Sequence, residues 1–302
     1  MQLDGIDYKL IRTLQRDGRT SYSALAKTVG LARTSARSRV LRLLDSGKVR
    51  IVTVVNPAVF GLSAFAHARV EVGEPIRLTA ERLAAFNEVR YLTMTASRFA
   101  ISAELLCTDM NELARVMDQV RAINGVRGAE MVSYLRIWKD PYLPPAPLQE
   151  IELDAADRTL LARLNLNGRA PFAQLADESG LSQGAARSRV LRMLEAGVVH
   201  VSAQIRSDNG GNGHLYGFGL VLDGNADEVA RRLVEFDQVR FLATGIGWCD
   251  VIGSLQSESS NEIIDALENI RATPGVHAVE VWAEVQVFKE TYHETLLHGR
   301  RP

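Results

Sequence analysis

Apolar residues recur at helical spacing near the start of the chain. The first such pattern consists of Leu3, Ile6, Leu10, Ile11 and Leu14. It predicts an amphipathic helix, and shorter patterns predict two more helices over residues 22–29 and 33–46. Gly30 lies between these two and supplies the turn of a helix-turn-helix. Because the apolar stretch over residues 48–55 predicts a strand leaving this unit, we interpret residues 1–55 as a winged-type helix-turn-helix domain.

The period of the apolar pattern changes after this unit. Strands are predicted at residues 65–72, 89–96, 99–107 and 126–138, and helices at residues 78–86 and 110–123. This order of elements is that of a ferredoxin-like βαββαβ domain, which we assign to residues 56–140. One face of such a sheet carries the two helices, so the other face needs a partner. We therefore expect two such domains to pair.

The second half of the chain repeats the first half at an offset of 150 positions. Between residues 3–50 and 153–200, 21 of 48 positions are identical. A fixed period of this length indicates duplicated domains rather than a solenoid. It predicts a second helix-turn-helix domain at 153–206 and a second ferredoxin-like domain at 207–302, joined to the first half by a proline-rich linker at 141–152. The predicted fold class is α+β, arranged as a tandem duplication.

Composition narrows the classes of partner. The 302 residues carry a net charge of -1, so a nucleic acid would have to meet a local basic patch. No apolar run approaches the roughly 18 residues of a membrane span, and the N-terminus lacks a signal-peptide pattern. We therefore expect a cytoplasmic protein with no membrane partner. Cys107 and Cys249 fit no disulfide or zinc pattern, so we expect buried thiols, no metal and no cofactor.

One heptapeptide, ARSRVLR, occurs at residues 36–42 and again at residues 186–192. In the first half it lies on the second helix of the helix-turn-helix, whose exposed face would carry arginines and hydroxyls suited to a major groove. Residues 31–50 hold six basic side chains and one acid, a local charge of about +5. The candidate DNA-binding residues of this half are Arg33, Thr34, Ser35, Arg37, Ser38 and Arg42. The apolar positions expected to face the core are Ala36, Val40, Leu41 and Leu44.

A basic helical face also has a plainer interpretation, because such faces are usually just solvated. Arg39 and Arg189 in particular either join the DNA-facing set or pair with the first-helix acids Asp7 and Asp157. The sequence leaves both alternatives open.

The second helix-turn-helix differs from the first at the positions that would read bases. Residues 181–200 hold three arginines and one acid, a local charge of about +2. Gln183 and Gly184 replace Arg33 and Thr34, and Ser182 is a good helix N-cap where the first half has Ala32. The candidate DNA-binding residues of this half are Ser182, Gln183, Arg187, Ser188 and Arg192. Different side chains predict different base preferences, and hence one asymmetric DNA site for a chain that folds as an internal pseudo-dimer.

The pattern LDxxDxxLxxxLxxxGR…LAxxxGL…ARSRVLRxLxxGxV resembles the DNA-binding domain of the Lrp/AsnC (feast/famine) regulators, and the βαββαβ unit resembles their effector-binding and oligomerisation domain. The resemblance covers nearly the whole chain, twice. It implies a transcription regulator that binds double-stranded DNA, responds to a small molecule such as an amino acid, and forms homo-oligomers. We expect a dimer of two-headed chains.

The resemblance also suggests where an effector would bind. The family has a Gly-x-x-Asp turn near its effector pocket, and the second half matches with Gly247 and Asp250, whereas the first half has the sequence SRFA at residues 97–100. A glycine there permits positive φ in a hairpin. Asp250 could hold an effector ammonium group or could cap the turn itself.

Two other functions remain open. Siroheme decarboxylases resemble this family, and some of them are tandem chains. Against an enzyme, the six histidines form no close pair except His293 and His298 in the tail, and the chain lacks the common hydrolase, phosphate-loop and zinc-protease motifs. No catalytic residue is predicted. The other alternative is a protein that bridges DNA without an effector.

Overall fold

The computed structural model describes residues 3–73, 75–141, 149, 151–205, 214–257 and 259–291. These residues form two compact units, and each unit combines equivalent parts of the two halves. The head unit takes its described residues from 1–60 and 141–211. The barrel unit takes its described residues from 61–140 and 212–292. Most of the predicted linker, residues 142–148 and 150, lies outside the described residues, as do His293 and His298.

The elements follow the predicted order in both halves. The first half contains α1 (Gly5–Arg16), α2 (Tyr22–Val29), α3 (Arg33–Asp45), β1 (Val49–Val55), β2 (Ala64–Val72), α4 (Ile76–Ala84), β3 (Val89–Ala96), β4 (Ile101–Cys107), α5 (Met110–Arg121) and β5 (Val126–Lys139). The second half contains α6 (Ala155–Leu166), α7 (Phe172–Ser179), α8 (Gln183–Glu195), β6 (Val199–Ile205), β7 (His214–Leu222), α9 (Ala226–Leu233), β8 (Val239–Gly247), β9 (Val251–Ser257), α10 (Ser260–Arg271) and β10 (Val276–Glu290).

Local signals set the ends of the head-unit helices. Asp4 and Asp154 each cap the first helix of a head, where a reciprocal bond from the third helical residue completes a capping box. Gly30 and Gly180 end the second helices in the left-handed conformation, which glycine adopts without steric cost. Each head therefore encloses a small apolar core between its three helices.

One expected core position on α3 is wrong. Ala36 and Val40 are buried as predicted and Leu44 is partly buried against the same cluster, but the third fully buried side chain is Leu43 rather than Leu41. Seven residues make almost two full helical turns, so Leu43 returns to the face of Ala36. Leu41 is turned well away from that face.

The two heads are joined by a two-stranded antiparallel ribbon. β1 pairs with β6 over Val49↔Ile205 to Val55↔Val199, and Val52 lies opposite Ser202, its own counterpart in the duplication. The pseudo-twofold axis of the head unit therefore passes between these two residues. The strand after each helix-turn-helix pairs with the other head instead of folding back as a hairpin wing.

The barrel unit closes eight strands in the order β10-β3-β4-β2-β5-β8-β9-β7. Each half contributes a four-stranded ferredoxin-like sheet, β3-β4-β2-β5 or β8-β9-β7-β10, with its two helices packed on one face. The junctions between the halves are β5–β8 and β10–β3. The predicted pairing of two such domains is therefore made inside one chain. Among the described residues, no helix is long and apolar enough to cross a membrane.

We expect Gly18→Ala to destabilise the head unit. Gly18 is buried in the turn after α1, and its N–H donates to the carbonyl of Val201 at 2.7 Å. A Cβ at Gly18 would lie 2.8–2.9 Å from atoms of Val201, two of them backbone. The forced shift should lower the free energy of unfolding by about 1–3 kcal/mol in urea titrations followed by circular dichroism. The control is Gly5→Ala, where a Cβ meets nothing within 4 Å. Equal losses from the two variants would contradict the prediction.

Candidate nucleic-acid interface

The outer face of α3 carries polar side chains in the predicted arrangement. All six first-half candidates are exposed: Arg33, Thr34, Ser35, Arg37, Ser38 and Arg42. Neither Arg33 nor Arg37 makes an ion pair with any residue that the structure describes. Their guanidinium groups are therefore available to phosphates or to guanine edges, the usual partners of arginine on DNA.

The equivalent face of α8 is weaker in charge. Gln183, Arg187 and Ser188 are exposed, and Arg187 has no ion pair within the described part of the chain. Ser182 is also exposed, but its hydroxyl accepts the N–H of Ala185 at 3.2 Å and so caps the helix, as its position predicted. Ala32, its counterpart, makes no side-chain cap.

The other arginines of the heptapeptide turn toward the first helix of their own head. Arg39 pairs with Asp4 at 2.7 Å and with Asp7 at 2.9 Å, and Arg42 reaches Asp7 at 3.2 Å. The alternative in which Arg39 pairs with a first-helix acid is therefore the observed one. Arg42 remains half-exposed, with 51% of its side chain accessible, so only part of it is engaged in this network.

The second head repeats this network. Arg189 pairs with Asp154 at 2.6 Å and with Asp157 at 3.0 Å, and Arg192 reaches Asp157 at 2.6 Å. The buried acid, Asp7 or Asp157, is only 1% exposed in each head. It thus receives two guanidinium groups, whose hydrogen bonds offset the cost of burying a carboxylate.

The exposed acids of the network titrate low. A hydrogen bond from Arg39 lowers the pKa of Asp4, and the backbone N–H of Asp157 followed by Arg189 lowers the pKa of Asp154. A lowered pKa in the folded state contributes stability above the ordinary pKa, and this contribution is lost as the pH falls through the folded value. The ion pairs of Asp4 with Arg39 and of Asp154 with Arg189 are therefore present at neutral pH.

In the barrel unit, the predicted turn is present but its glycine has a different role. Gly247 is not among the described glycines with positive φ, so the turn does not use the backbone freedom that a glycine permits there. A Cβ at Gly247 would lie 2.2 Å from the carbonyl oxygen of Met131 on β5, and the glycine allows this close approach of two strands. Asp250 accepts the N–H of Leu222 at 2.9 Å, so one carboxylate oxygen anchors the turn to β7.

The barrel interior holds polar groups that the sequence analysis did not single out. His67 contacts the hydroxyl of Ser102 at 3.0 Å and lies against the ring of Trp282. Burial, followed by the charge of Arg69, lowers the pKa of His67 to about 3, so the imidazole is neutral at physiological pH. Tyr91 donates to the partly buried carboxylate of Glu284 at 2.6 Å. Side chains on a strand alternate between its two faces, and in the sequence this alternation was the signal that could have placed these residues in the interior.

The two halves of this interior are not equivalent. Gly217 is the counterpart of His67, and the Trp282 ring fills the space above it; Gly219 is the counterpart of Arg69, and Trp248 lies there. Arg69 is held between the rings of Phe99 and Trp248, at 4.1 and 3.7 Å, and pairs with Glu130 and Glu280. Large side chains of the second half thus occupy space left by glycines of the same half, where the first half has His67 and Arg69.

One apolar cluster of the barrel contains three buried donors without an acceptor. The Tyr134 hydroxyl and the indole nitrogens of Trp248 and Trp282 have no hydrogen-bond partner among the described residues, and all three side chains belong to this cluster. Tyr134 stacks on Phe241, which is the counterpart of Tyr91 but has no hydroxyl. Within the described residues, no group of three or more His, Cys, Asp or Glu side chains is arranged to hold a metal ion.

Comparisons with known proteins find matches to segments of both the head unit and the barrel unit. Residues 3–44 and 153–194 match the AsnC-type helix-turn-helix domain, and residues 63–144 match the Lrp/AsnC ligand binding domain. An uncharacterised HTH-type transcriptional regulator of Pyrococcus abyssi is 32% identical over 134 residues, which are 43% of this chain and 84% of that protein. The HTH-type transcriptional regulator FL11 of Pyrococcus furiosus is 30% identical over 141 residues, 46% of this chain and 93% of that protein.

The chain belongs to the Lrp/AsnC family. Each of these relatives corresponds to about one half of the chain. The chain is thus a family member in which the helix-turn-helix domain matches twice, and the second half repeats the ferredoxin-like fold of the segment that matches the ligand binding domain. Among solved structures, the siroheme decarboxylase NirDL is similar over 97% of this chain and 96% of its own, with a TM-score of 0.64 and 16% identity. At that identity the likeness shows that the two chains share a fold.

We expect Asp7→Asn to destabilise this Lrp/AsnC chain strongly. The substitution leaves Arg39 and Arg42 without the buried carboxylate that joins them, and breaking a buried ion pair costs about 3–5 kcal/mol. The measurement is the free energy of unfolding in urea. Asp4→Asn is the control, because asparagine also caps helices and Asp4 is exposed. A loss for Asp4→Asn as large as that for Asp7→Asn would refute the assigned role of the buried acid.

We expect Tyr134→Phe and Tyr91→Phe to change the stability of the barrel in opposite directions. Tyr134→Phe removes a buried hydroxyl without an acceptor and should stabilise by about 1 kcal/mol, whereas Tyr91→Phe leaves Glu284 without its donor and should destabilise by about 1–3 kcal/mol. All three tryptophans of the sequence lie on barrel strands or turns, so unfolding followed by tryptophan fluorescence reports on this unit. Destabilisation by both variants would show that the Tyr134 hydroxyl has a partner.

Proposed function

We propose that this protein is a sequence-specific transcription regulator whose single chain does the work of a family dimer. The observation that carries the proposal is the exposed face of α3, where Arg33 and Arg37 have no ion-pair partner in the described residues and lie beside exposed hydroxyls. This face belongs to a segment that matches the AsnC-type helix-turn-helix domain. Unpaired arginines on a recognition helix suit phosphate contact and guanine readout.

The two heads would read different half-sites. Arg33 and Thr34 of α3 are replaced by Gln183 and Gly184 on α8. On the exposed face of α8, Arg187 makes no ion pair with the described residues. Arginine favours guanine, whereas glutamine favours adenine. The preferred operator is therefore asymmetric, and the first head contributes the larger electrostatic share of its affinity.

A small molecule such as an amino acid would modulate this binding through the barrel unit. Residues 63–144 match a ligand binding domain, and the turn with Gly247 and Asp250 is the effector candidate. Asp250 uses one oxygen on Leu222, and no hydrogen bond to the other oxygen is present among the described residues. That second oxygen could receive an ammonium group.

Association of two chains would give four heads. Leu135 and Val285 are equivalent residues at bulges of β5 and β10, and Ile246 lies opposite Ser133 at one junction between the halves. These three apolar side chains are 67–69% exposed. Exposed apolar side chains at equivalent places support pairing between copies of the chain.

We expect Arg37→Ala to weaken DNA binding more than Arg187→Ala. The measurement is fluorescence anisotropy at several salt concentrations, on DNA from upstream of the protein's own gene and on a fragment selected from random sequence. Each lost phosphate contact should reduce the slope of log affinity against log salt by about one, and each lost base contact should cost about 1–3 kcal/mol of binding free energy. Because the second head is less basic, its variant should lose less.

Arg39→Ala serves as the matched control, since Arg39 is engaged with Asp4 and Asp7. It should lower stability and leave the salt slope unchanged. A perfectly palindromic selected site would contradict the asymmetric operator. Wild-type binding no better than nonspecific would contradict the regulator itself.

Two kinds of added ligand distinguish the regulator from the remaining alternatives, a DNA-bridging protein and an enzyme. A DNA-bridging protein should keep the same DNA affinity in a series of twenty amino acids, whereas an effector-controlled regulator should respond to at least one of them. A haem-type absorption band after incubation with siroheme would favour an enzyme related to the decarboxylase of similar fold.

A further inference from the structure

One arginine from each head donates hydrogen bonds to the backbone of the other head. Arg19 donates from its two terminal nitrogens to the carbonyl oxygens of Gly168 and Ala170, at 2.6 and 2.9 Å. Arg169, its counterpart, donates in the same way to the carbonyl oxygens of Gly18 and Thr20, at 2.8 and 3.0 Å. The contact is therefore reciprocal, and it uses four backbone acceptors in the turns between the first and second helices.

Each guanidinium group also packs on an aromatic ring of the opposite head. Arg19 lies 4.7 Å from the centre of the Phe172 ring, and Arg169 lies 5.1 Å from the centre of the Tyr22 ring. Tyr22 and Phe172 are the first residues of α2 and α7, the helices that precede the two recognition helices. Each arginine therefore contacts the first residue of the helix that begins the helix-turn-helix of the opposite head.

Further contacts fix these turns, and the ends of α1 and α6 that lead into them, against the ribbon. The hydroxyl of Thr53 donates to the carbonyl of Leu164 at 2.6 Å, and the hydroxyl of Ser202 donates to the carbonyl of Gln15 at 2.9 Å. Gly18 and Gly168 are buried against Val201, where any larger residue would collide. The separation of the heads therefore depends on several directional contacts, of which the arginine pair is the symmetric one.

The contacts of Arg19 and Arg169 with the opposite head are not ion pairs. Neither arginine forms an ion pair with a carboxylate among the described residues. Burial lowers the pKa of Arg19, and the nearby positive charge of Arg169 lowers it further, although the group stays charged at neutral pH. Two like charges are held close together because the four carbonyl oxygens accept them in a fixed, bidentate geometry, which a lysine cannot reproduce.

We propose that Arg19 and Arg169 are positioning residues that fix the separation of α3 and α8, so that the protein accepts a single spacing between half-sites. The inference rests on the proposed DNA-binding function. Recognition helices of a two-headed protein enter major grooves about one helical turn of DNA apart, so a rigid joint rejects operators of other spacings. A loosened joint would tolerate them.

The first part of the test measures the distance between the two heads in the absence of DNA. Spin labels go on Lys27→Cys and Asp177→Cys, equivalent exposed positions of α2 and α7. The native thiols stay unlabelled, because Cys107 is fully buried and burial raises the pKa of the Cys249 thiol to about 12. Double electron–electron resonance should give one narrow distance distribution, which broadens about twofold in the Arg19→Lys/Arg169→Lys variant.

The second arm measures spacing on DNA. The selected operator is altered by inserting or deleting one or two base pairs between the half-sites, and dissociation constants are measured at one salt concentration. The unaltered arginines should show about a tenfold loss of affinity at two base pairs, and the double lysine variant less than about a threefold loss. Lysine keeps the positive charge, so a general loss of phosphate attraction is not the cause of the difference.

Two kinds of control complete the design. Arg163→Lys makes the same chemical change in an arginine that pairs with Glu178 inside one head, and it should leave both readouts unchanged. If the double variant fails to fold by circular dichroism, the single variants Arg19→Lys and Arg169→Lys each remove half of the contact and should give intermediate broadening.

The outcomes separate the two ideas. An unchanged distance distribution or an unchanged spacing preference in a folded lysine variant overturns the proposal. If the parent protein binds no DNA specifically, the proposed function fails, and the distance measurement still decides whether the arginines hold the heads together.

Discussion

The pairing of each half's edge strands with the other half is the constraint on which both units depend. An unpaired strand edge exposes a row of backbone donors and acceptors and invites association with other chains. Here β1 pairs with β6 in the head unit, and β5–β8 and β10–β3 close the barrel. β1 and β6 are equivalent strands of the duplicated sequence, and the two barrel junctions are equivalent to each other, so each unit acquires a pseudo-twofold axis. In the head unit that axis passes between Val52 and Ser202.

Duplication within one chain lets the two sides of each axis diverge. In a homodimer, every substitution appears twice, so a bulky residue near the axis meets its own copy. In this chain Trp282 lies over Gly217 and Trp248 lies over Gly219, and both glycines have larger counterparts, His67 and Arg69. Such large-for-small complementarity keeps the interior packed while making it asymmetric. The same freedom explains why Gln183 can occupy the position of Arg33 on the opposite recognition helix.

The repeated heptapeptide serves two purposes because a helix separates its positions by angle. Arg37 points outward and has no ion pair in the described residues, whereas Arg39 and Arg42 reach back to Asp7. The inward positions, Ala36 and Val40, hold the helix on its core. One short motif therefore combines the anchoring of the helix with the outward presentation of an arginine that has no ion pair in the described residues. Its retention in both heads follows from the anchoring as much as from any contact with DNA.

Periodicity and internal repetition in the sequence determined the element order, the duplication, the family resemblance and the exposed face of each recognition helix, because these depend on local spacing. The N-cap at Ser182 and the left-handed Gly30 are likewise local. Only the tertiary structure decided which strands of the two halves pair, that Arg19 and Arg169 cross between heads, and that Gly247 serves close approach rather than positive φ. It also chose between the two roles open to Arg39. Each of these depends on residues more than thirty positions apart in sequence, whose meeting is set by packing and strand register and leaves no periodic signal in the chain.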